Sequence, residues 1–239
     1  MTDKSFTYIF ANHAGIAIGP ILFVIFILAI LVAALAAGSG GFGSSTNKDA
    51  ARVQASSVIQ QGNSVKWGFE RVYGNAINID DVILSEAFTA TNSVNALYGN
   101  NGGGLLPLTP LKAAVPDSGI NTWRYVKEAN LPDIGNNGAN DAAAVLEVRS
   151  EGICKAINSI IFGKGSAQET TIPLAAGAAS AILNEAGCSD ATFSSTASGC
   201  NVAANDFDVS ASTDVSGRAQ ACIDDGAGHY YYYQLLLAK

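Results

Sequence analysis

Residues 21–38 read ILFVIFILAILVAALAAG and carry no charged side chain. When this segment is extended back to Ile16, a helix over it can span the roughly 30 Å hydrocarbon core of a bilayer. Pro20 then falls in the first turn, where a missing N–H costs little. We therefore predict a transmembrane helix over residues 16–38. Its helix-packing positions are Ile21, Phe23, Phe26, Leu31 and Ala34.

The same segment admits two other interpretations. A cleaved secretory signal would end at the small-residue site Ala34-Leu35-Ala36, although Lys4 is the only basic residue before it. A buried core helix would need an apolar shell around it, and nothing in the remaining chain is apolar enough to supply one. The membrane helix is the primary interpretation, and signal cleavage is its alternative.

Charge is distributed unevenly along the chain. Of 239 residues, 49% are hydrophobic and 14% charged, with 13 Lys+Arg against 20 Asp+Glu. Asp3 and Lys4 are the only charged residues before residue 39, which leaves 12 basic and 19 acidic residues beyond it. The apolar content excludes a disordered chain, and the acidic balance argues against a nucleic-acid partner, which would need clustered Lys and Arg. We expect an apolar anchor followed by an acidic, water-facing domain.

A second helix is predicted after a break at residues 38–46, GSGGFGSST, whose glycines and serines disfavour a helix interior. Beyond this joint, apolar or small residues recur every three or four positions, which is helical spacing. The stripe consists of Val58, Gly62, Val65, Phe69 and Val72, and polar residues occupy the opposite face (Gln60, Gln61, Ser64 and Arg71). Gly74-Asn75 ends the helix. We therefore expect the helix to be interrupted at this joint.

The remainder of the chain predicts loops, two helices and a small sheet. Residues 75–140 are rich in Gly, Asn and Pro and predict long loops, with short strands near 81–84 and 122–126. Residues 141–162 predict a helix that carries Cys154, and 174–186 predict a second, Ala-rich helix. Residues 188–216 are small and polar and predict a loop.

The clearest strand signal lies at residues 230–237, YYYYQLLL. Alternation divides the run into two faces, one with Tyr231, Tyr233, Leu235 and Leu237 and the other with Tyr230, Tyr232, Gln234 and Leu236. Apolar bodies on both faces predict a strand covered on both sides. Cys222-Ile223, before the turn at residues 224–226, predicts its hairpin partner. The resulting fold class is α+β, with a long N-terminal helix packed on a small antiparallel sheet. The domains are a leader or cytoplasmic segment (1–15), the span (16–38), the joint (39–46) and an outward-facing domain (47–239).

Four cysteines all follow the predicted span, and none forms a C-x-x-C pair. Two disulfides in an oxidising compartment explain this arrangement and place the C-terminal domain outside, whereas four free thiols in a cytosolic domain are the alternative. We prefer the pairs Cys154–Cys222 and Cys188–Cys200, because the first joins the chain's end to its middle. The sequential pairs Cys154–Cys188 and Cys200–Cys222 remain open.

The order of these segments resembles a type IV pilin or pilin-like protein. Residues 131–135 (LPDIG), residues 151–158 (EGICKAIN) and the Tyr-rich last strand look like bacterial pilin-like proteins of the type IVb or type II secretion kind. The resemblance implies assembly through the apolar helix, with copies of itself, the inner membrane before assembly, and the pilus assembly machinery as partners. It also implies a prepilin peptidase that cuts between Gly15 and Ile16. Pro20 stands where the family has a Glu at the fifth mature position.

No constellation of side chains points to catalysis, a cofactor or a metal. His13 and His229 are the only histidines, and His229 is interpreted as a surface residue in a turn. Acidic pairs (Asp80-Asp81, Asp206 with Asp208, and Asp224-Asp225) are interpreted as solvated turns rather than calcium ligands. The glycines at 102–104 lack the Lys-Ser/Thr pair of a phosphate loop. For Trp67 and Trp123, core packing is favoured over an exposed contact role.

Three functions follow from these observations. The first is a structural subunit of a pilus-like surface filament or pseudopilus, extracellular once assembled and a candidate for cell adhesion. The second is a single-pass, membrane-anchored envelope protein whose ectodomain binds a ligand or partner without polymerising. A secreted enzyme is the weakest, because no residues converge on a reaction.

Overall fold

The computed structural model describes residues 47–75, 77–84, 93–117, 121–135, 141–174, 207–209 and 212–239. Several predicted features lie outside these ranges: the leader, the span at 16–38 with its packing residues, the joint at 38–46, the site at Gly15 and Ile16, and Cys188 and Cys200. The Ala-rich segment at 175–186 also lies outside them. The described residues belong to one unit, Asn47–Lys239.

The fold is α+β, as predicted. Helix α1 covers residues 47–74. The other helices are α2 (Glu151–Phe162) and α3 (Ala167–Thr170), with 3-10 turns at Ile79–Asp81 and Thr213–Val215. The strands are β1 (Arg124–Asn130), β2 (Asp141–Val148), β3 (Phe207–Asp208), β4 (Gln220–Asp224) and β5 (Tyr230–Leu237).

The five strands form one sheet in the order β3-β1-β2-β5-β4. The pairs β1–β2, β2–β5 and β4–β5 are antiparallel, which confirms the predicted character of the sheet. The prediction is wrong at one edge, where the two-residue strand β3 runs parallel to the end of β1. Such a short pairing carries no hydrophobic alternation that a sequence pattern could reveal.

Helix α1 buries the stripe that the sequence predicts. Val58, Val65, Phe69 and Val72 are all buried in the cluster that also contains Leu146 of β2 and other sheet residues. Gly62 brings the helix close to the sheet, because a Cβ built there would lie 2.7 Å from the Tyr232 hydroxyl oxygen. The helix ends at residue 74, and the next residue, Asn75, donates its N–H to the Val72 carbonyl at 3.1 Å. This end also agrees with the prediction.

The predicted helix over residues 141–162 is wrong in its first half. Residues 141–148 form β2, and helix α2 begins only at Glu151, with the Ser150 hydroxyl accepting from the Ile153 N–H. All eight residues of β2 are buried, since the strand has neighbours on both sides and packing on both faces. A strand buried on both faces lacks polar alternation, and its alanines suit a helix equally well by propensity. The spacing of apolar residues therefore could not distinguish a strand from a helix over residues 141–148.

Strand β5 and its hairpin partner β4 are confirmed. Tyr232 packs in the same cluster as α1, while Tyr231 and Tyr233 pack in a second cluster on the other face. The predicted assignment of side chains to the two faces is wrong only at Leu237, which packs in the same cluster as Tyr232. The cause is a register shift, since Leu235 pairs with Ala143 and Leu237 with Ala142.

The described parts of the loops before β1 make backbone hydrogen bonds and contact α1. Near residues 81–84 there is a 3-10 turn and an isolated Ile83–Ala96 bridge instead of the predicted strand. The Gly103 N–H donates to the Ala96 carbonyl at 2.9 Å, and a Cβ on Gly103 would lie 2.9 Å from the Gly68 carbonyl oxygen. These glycines therefore allow the loop to lie directly against the helix.

Candidate functional site

The outer side of α1 exposes apolar residues. Trp67 is 70% exposed and Val53 is 67% exposed. At 100° per residue, the fourteen positions between them leave the two side chains about 40° apart around the helix. Core packing was therefore the wrong expectation for Trp67. A Trp buries a large apolar area when it enters an interface, so its exposure on α1 makes this side of the helix a candidate contact surface.

A loop runs beside this helix and adds a third exposed apolar residue. Leu105 packs onto Gly68, where an added Cβ would lie 2.6 Å from the leucine Cγ. The Gln61 Nε2 donates to the Thr109 carbonyl at 3.2 Å. Between these two attachments lies Leu106, which is 79% exposed. We call Trp67 and Leu106 together the helix–loop surface.

Trp123 contacts both α1 and strand β5. It is 6% exposed, so the expectation of core packing is confirmed for this tryptophan. Its ring meets Tyr232 edge-on at 6.0 Å between centroids, and its Nε1 donates to the Gln61 Oε1 at 3.1 Å. Gln61, which sequence analysis assigned to the polar face, therefore links α1 both to the sheet and to the loop.

A disulfide and a buried asparagine join α2 to β4. Cys154 and Cys222 form a disulfide with a Cα–Cα distance of 5.3 Å, which is the pair that the sequence analysis preferred. One turn after Cys154, the fully buried Asn158 donates from Nδ2 to the Cys222 carbonyl at 2.9 Å. Its Oδ1 accepts from the Cys222 N–H at 2.8 Å. The sequence pattern did not lead us to a role for Asn158. A polar residue four positions after a cysteine on an apolar helix face does suggest a buried side chain that needs hydrogen-bond partners.

His229 is joined to a carboxylate. Its Nδ1 lies 3.0 Å from Oε1 of Glu147, whose side chain is almost completely buried, whereas the His229 side chain is about half exposed. The hydrogen bond to Glu147 raises the pKa of His229, and the charges of Glu147, Asp225 and Asp224 add to that effect against desolvation. The interpretation as a plain surface residue missed this partner, because Glu147 is 82 positions away in sequence.

The acidic turn after β4 uses its carboxylates on its own backbone. Asp225 Oδ1 accepts from the N–H groups of Ala227 and His229, and Asp224 Oδ1 accepts from Gly226. Among the described residues, no group of three or more His, Cys, Asp or Glu side chains is placed to hold a metal ion. The carboxylates of this turn thus hold the hairpin in shape.

Two tyrosines of β5, Tyr232 and Tyr233, make hydrogen bonds through their hydroxyl groups. Tyr232 Oη lies 2.9 Å from Gln220 Oε1 and 3.1 Å from Gln234 Oε1, and Tyr233 Oη donates to the Arg218 carbonyl at 3.1 Å. Burial raises the pKa of both hydroxyls well above the ordinary value. They therefore stay protonated at neutral pH and serve packing and hydrogen bonding.

In the part of the chain that the structure describes, no helix is long and apolar enough to cross a membrane. The predicted span at 16–38 falls outside that part. Comparison of the chain with protein-family models, with curated proteins and with solved structures found no match.

Proposed function

We propose that this protein is a structural subunit of a pilus-like surface filament or pseudopilus and assembles through its N-terminal helical region. One observation carries the proposal: α1 buries one side on the sheet and exposes Trp67 and Val53 on the other. A helix that buries one side on the sheet and leaves a tryptophan exposed on the other has a surface for a second partner. The inner partner is the sheet, and the outer partner is a neighbouring copy.

The sequence before α1 supports the same function. The uncharged stretch at residues 21–38 precedes α1 by a short Gly/Ser joint, so one polypeptide carries a membrane anchor and an amphipathic helix in series. Residues 1–15 are a leader for a prepilin peptidase, and the inner membrane holds the subunit before extraction. In the assembled filament, the apolar segments of many copies pack together with Ile21, Phe23, Phe26, Leu31 and Ala34 at their contacts.

The domain is suited to exposure outside the cell. The Cys154–Cys222 disulfide closes a loop with a sequence separation of 68, and such cross-links persist in oxidising compartments. Hydrogen bonds in the turn between β4 and β5 and the packing of Leu105 on Gly68 also hold two connecting segments in place.

The test compares two substitutions of exposed apolar residues in the full chain, expressed in cells that assemble it. Trp67→Glu alters the helix–loop surface, whereas Leu174→Glu alters a residue that is 53% exposed beside β4. We expect Trp67→Glu to remove the subunit from the sheared filament fraction, because a carboxylate would be buried between copies. Leu174→Glu should leave that fraction at the wild-type level.

Mapping of the Cys154–Cys222 link in both variants shows that the domain has folded. Filaments with normal amounts of the Trp67→Glu chain would refute assembly through this surface. A wild-type chain that stays in the membrane fraction and forms no filament would favour an anchored, non-polymerising envelope protein instead.

A further inference from the structure

The Asn158 side chain holds one residue of β4 by both of its backbone groups. Its Nδ2 donates to the Cys222 carbonyl at 2.9 Å, and its Oδ1 accepts from the Cys222 N–H at 2.8 Å. Only one orientation of the amide satisfies both bonds, because its donor has to meet the carbonyl and its acceptor has to meet the N–H. Nδ2 also donates to the Gln168 carbonyl of α3 at 3.3 Å. Both polar atoms of this fully buried side chain are therefore bonded.

These bonds fix where α2 lies on β4. The helix also buries apolar side chains such as Ile153 and Ile157, but the hydrophobic effect is not directional. Hydrogen bonds are directional, so the amide sets the height and rotation of the helix over Cys222. Cys154 comes four residues before Asn158 and lies on the same face of α2. The position that satisfies the amide thus brings the Cα atoms of Cys154 and Cys222 to 5.3 Å, a separation that suits a disulfide.

Cys222 has two other cysteines nearer to it in sequence. Cys188 and Cys200 both lie between Cys154 and Cys222, which are 68 positions apart. In an unfolded chain, loop closure becomes rarer with about the 3/2 power of loop length, so Cys200 meets Cys222 about five times as often as Cys154 does. The pair in the structure is nevertheless the distant one. Chain entropy does not select this pair, so a contact of the folded chain has to select it.

We infer that Asn158 is a positioning residue for oxidative folding: it docks α2 on β4 before the disulfide forms and so selects Cys154 as the partner of Cys222. The oxidant is a disulfide compound of an oxidising compartment. The thiolate of one cysteine attacks this compound and forms a mixed disulfide, and the thiolate of the other cysteine then displaces the compound's second sulfur. The two cysteines lose two electrons and two protons, and the oxidant is reduced to two thiols.

Asn158 takes no part in these bond changes. It holds the backbone of Cys222 against α2, so that the two sulfur atoms meet more often than they would in a flexible chain. This role is independent of filament assembly, because it concerns the folding of a single chain.

The test is refolding of the reduced full chain in detergent, with oxidised and reduced glutathione as the redox pair. Asn158→Leu removes both bonds to Cys222 and keeps a side chain of similar volume. Non-reducing peptide mapping gives the ratio of the Cys154–Cys222 peptide to peptides that join Cys222 to Cys188 or Cys200. We expect this ratio to fall about tenfold or more, since two net hydrogen bonds are lost. An unchanged ratio would overturn the inference.

The matched control is Ser159→Ala. Ser159 is the next residue of α2, and its hydroxyl donates to Glu169 Oε1 of α3 at 3.0 Å, so its loss removes a hydrogen bond of the helix and leaves Cys222 held. This variant should keep the wild-type ratio. A ratio that falls equally in both variants would show that any weakening of α2 has the same effect, which would also overturn the inference.

A second readout separates positioning from general stabilisation. It is the equilibrium constant for exchange between glutathione and the Cys154–Cys222 pair of the folded protein, measured in a chain that also carries Cys188→Ser and Cys200→Ser. A side chain that stabilises the reduced and oxidised folded forms equally does not change this constant. We expect Asn158→Leu to lower it about tenfold, because α2 is no longer docked in the reduced form. A lower urea midpoint with an unchanged constant would assign Asn158 a purely structural role.

A third measurement needs no substitution at Asn158. In the wild-type chain with its disulfides reduced, the Cys222 amide should remain protected from hydrogen exchange, because its N–H is still bonded to Asn158 Oδ1. Loss of this protection on reduction would show that the disulfide positions the asparagine, and not the reverse.

Discussion

The contact between α1 and the sheet depends on the missing side chain of Gly62. A Cβ at this position would lie 2.7 Å from Oη and 2.8 Å from Cε1 of Tyr232. Tyr232 cannot easily move away, because it is fully buried and its hydroxyl is hydrogen-bonded to Gln220 and Gln234. We therefore expect Gly62→Ala to force α1 and β5 apart.

The magnitude follows from two opposing effects. Overpacking a core position costs about 1–3 kcal/mol, whereas replacing a helical Gly by Ala returns up to about 1 kcal/mol. The net loss in the free energy of unfolding is about 1–2 kcal/mol. For a domain of this size, each kcal/mol lowers Tm by about 2–4 °C.

Thermal and urea denaturation of the full chain in detergent measure this loss. Gly74→Ala is the control, because an added Cβ there meets no atom within 4 Å and the residue is the last of α1. That variant should match wild type or exceed it slightly. A Gly62→Ala protein as stable as Gly74→Ala would refute the close approach of α1 to Tyr232.

Three further changes probe the sheet, the disulfide and the loop. Because Glu147 raises the pKa of His229, the pairing of the two side chains stabilises the fold fully below the unfolded-state pKa of His229 and is lost as pH rises through its folded-state pKa. His229→Gln should therefore lower the urea midpoint more at pH ~5.5 than at pH ~8.5. An equal loss at both pH values would contradict this. Replacing Cys154 and Cys222 together by alanine should lower the free energy of unfolding by about 4 kcal/mol in the chain-entropy estimate, and an unchanged urea midpoint would argue against the cross-link. The Arg149 guanidinium donates to the carbonyls of Val115 and Lys112 and to both carboxylate oxygens of Asp117, which holds the loop at residues 112–117. Arg149→Lys removes this planar, bidentate donor, so limited proteolysis should cut the loop faster than in wild type. Equal rates of cleavage would show that other contacts hold the loop.

The elements that sequence analysis identified are those with one clear period. The stripe at Val58, Val65 and Phe69 has helical spacing, and it is buried as predicted. The run at residues 230–237 combines four tyrosines and three leucines with alternation on two covered faces, and it forms β5. In both segments local propensity and tertiary packing agree, so the local signal is sufficient.

The elements that it missed depend on distant partners. Residues 141–148 form a strand because β1 and β5 lie on either side, and no local feature distinguishes their alanines from those of a helix. Trp67 is exposed because α1 touches the sheet and the loop through other positions, among them Gly62, Gly68 and the buried Phe69. The size of a side chain alone therefore does not show which side of the helix it lies on.

One part of the candidate site, the disulfide, was predictable from the sequence, whereas the role of Asn158 was not. The Cys154–Cys222 pair followed from the expectation that a helix and the last hairpin pack together. The role of Asn158 depends on the exact height of α2 above β4, where its amide meets both backbone groups of one residue. Sequence spacing places Asn158 beside Cys154 but does not show which strand edge it meets.

Electron cryomicroscopy of sheared surface filaments from cells that express this chain tests the account most directly. We predict helical filaments whose density follows this sequence, with the apolar segment at residues 16–38 in the core and Trp67 buried between neighbouring copies. Filaments built from another polypeptide, or a subunit density in which Trp67 faces solvent and residues 16–38 contact no other copy, would contradict it.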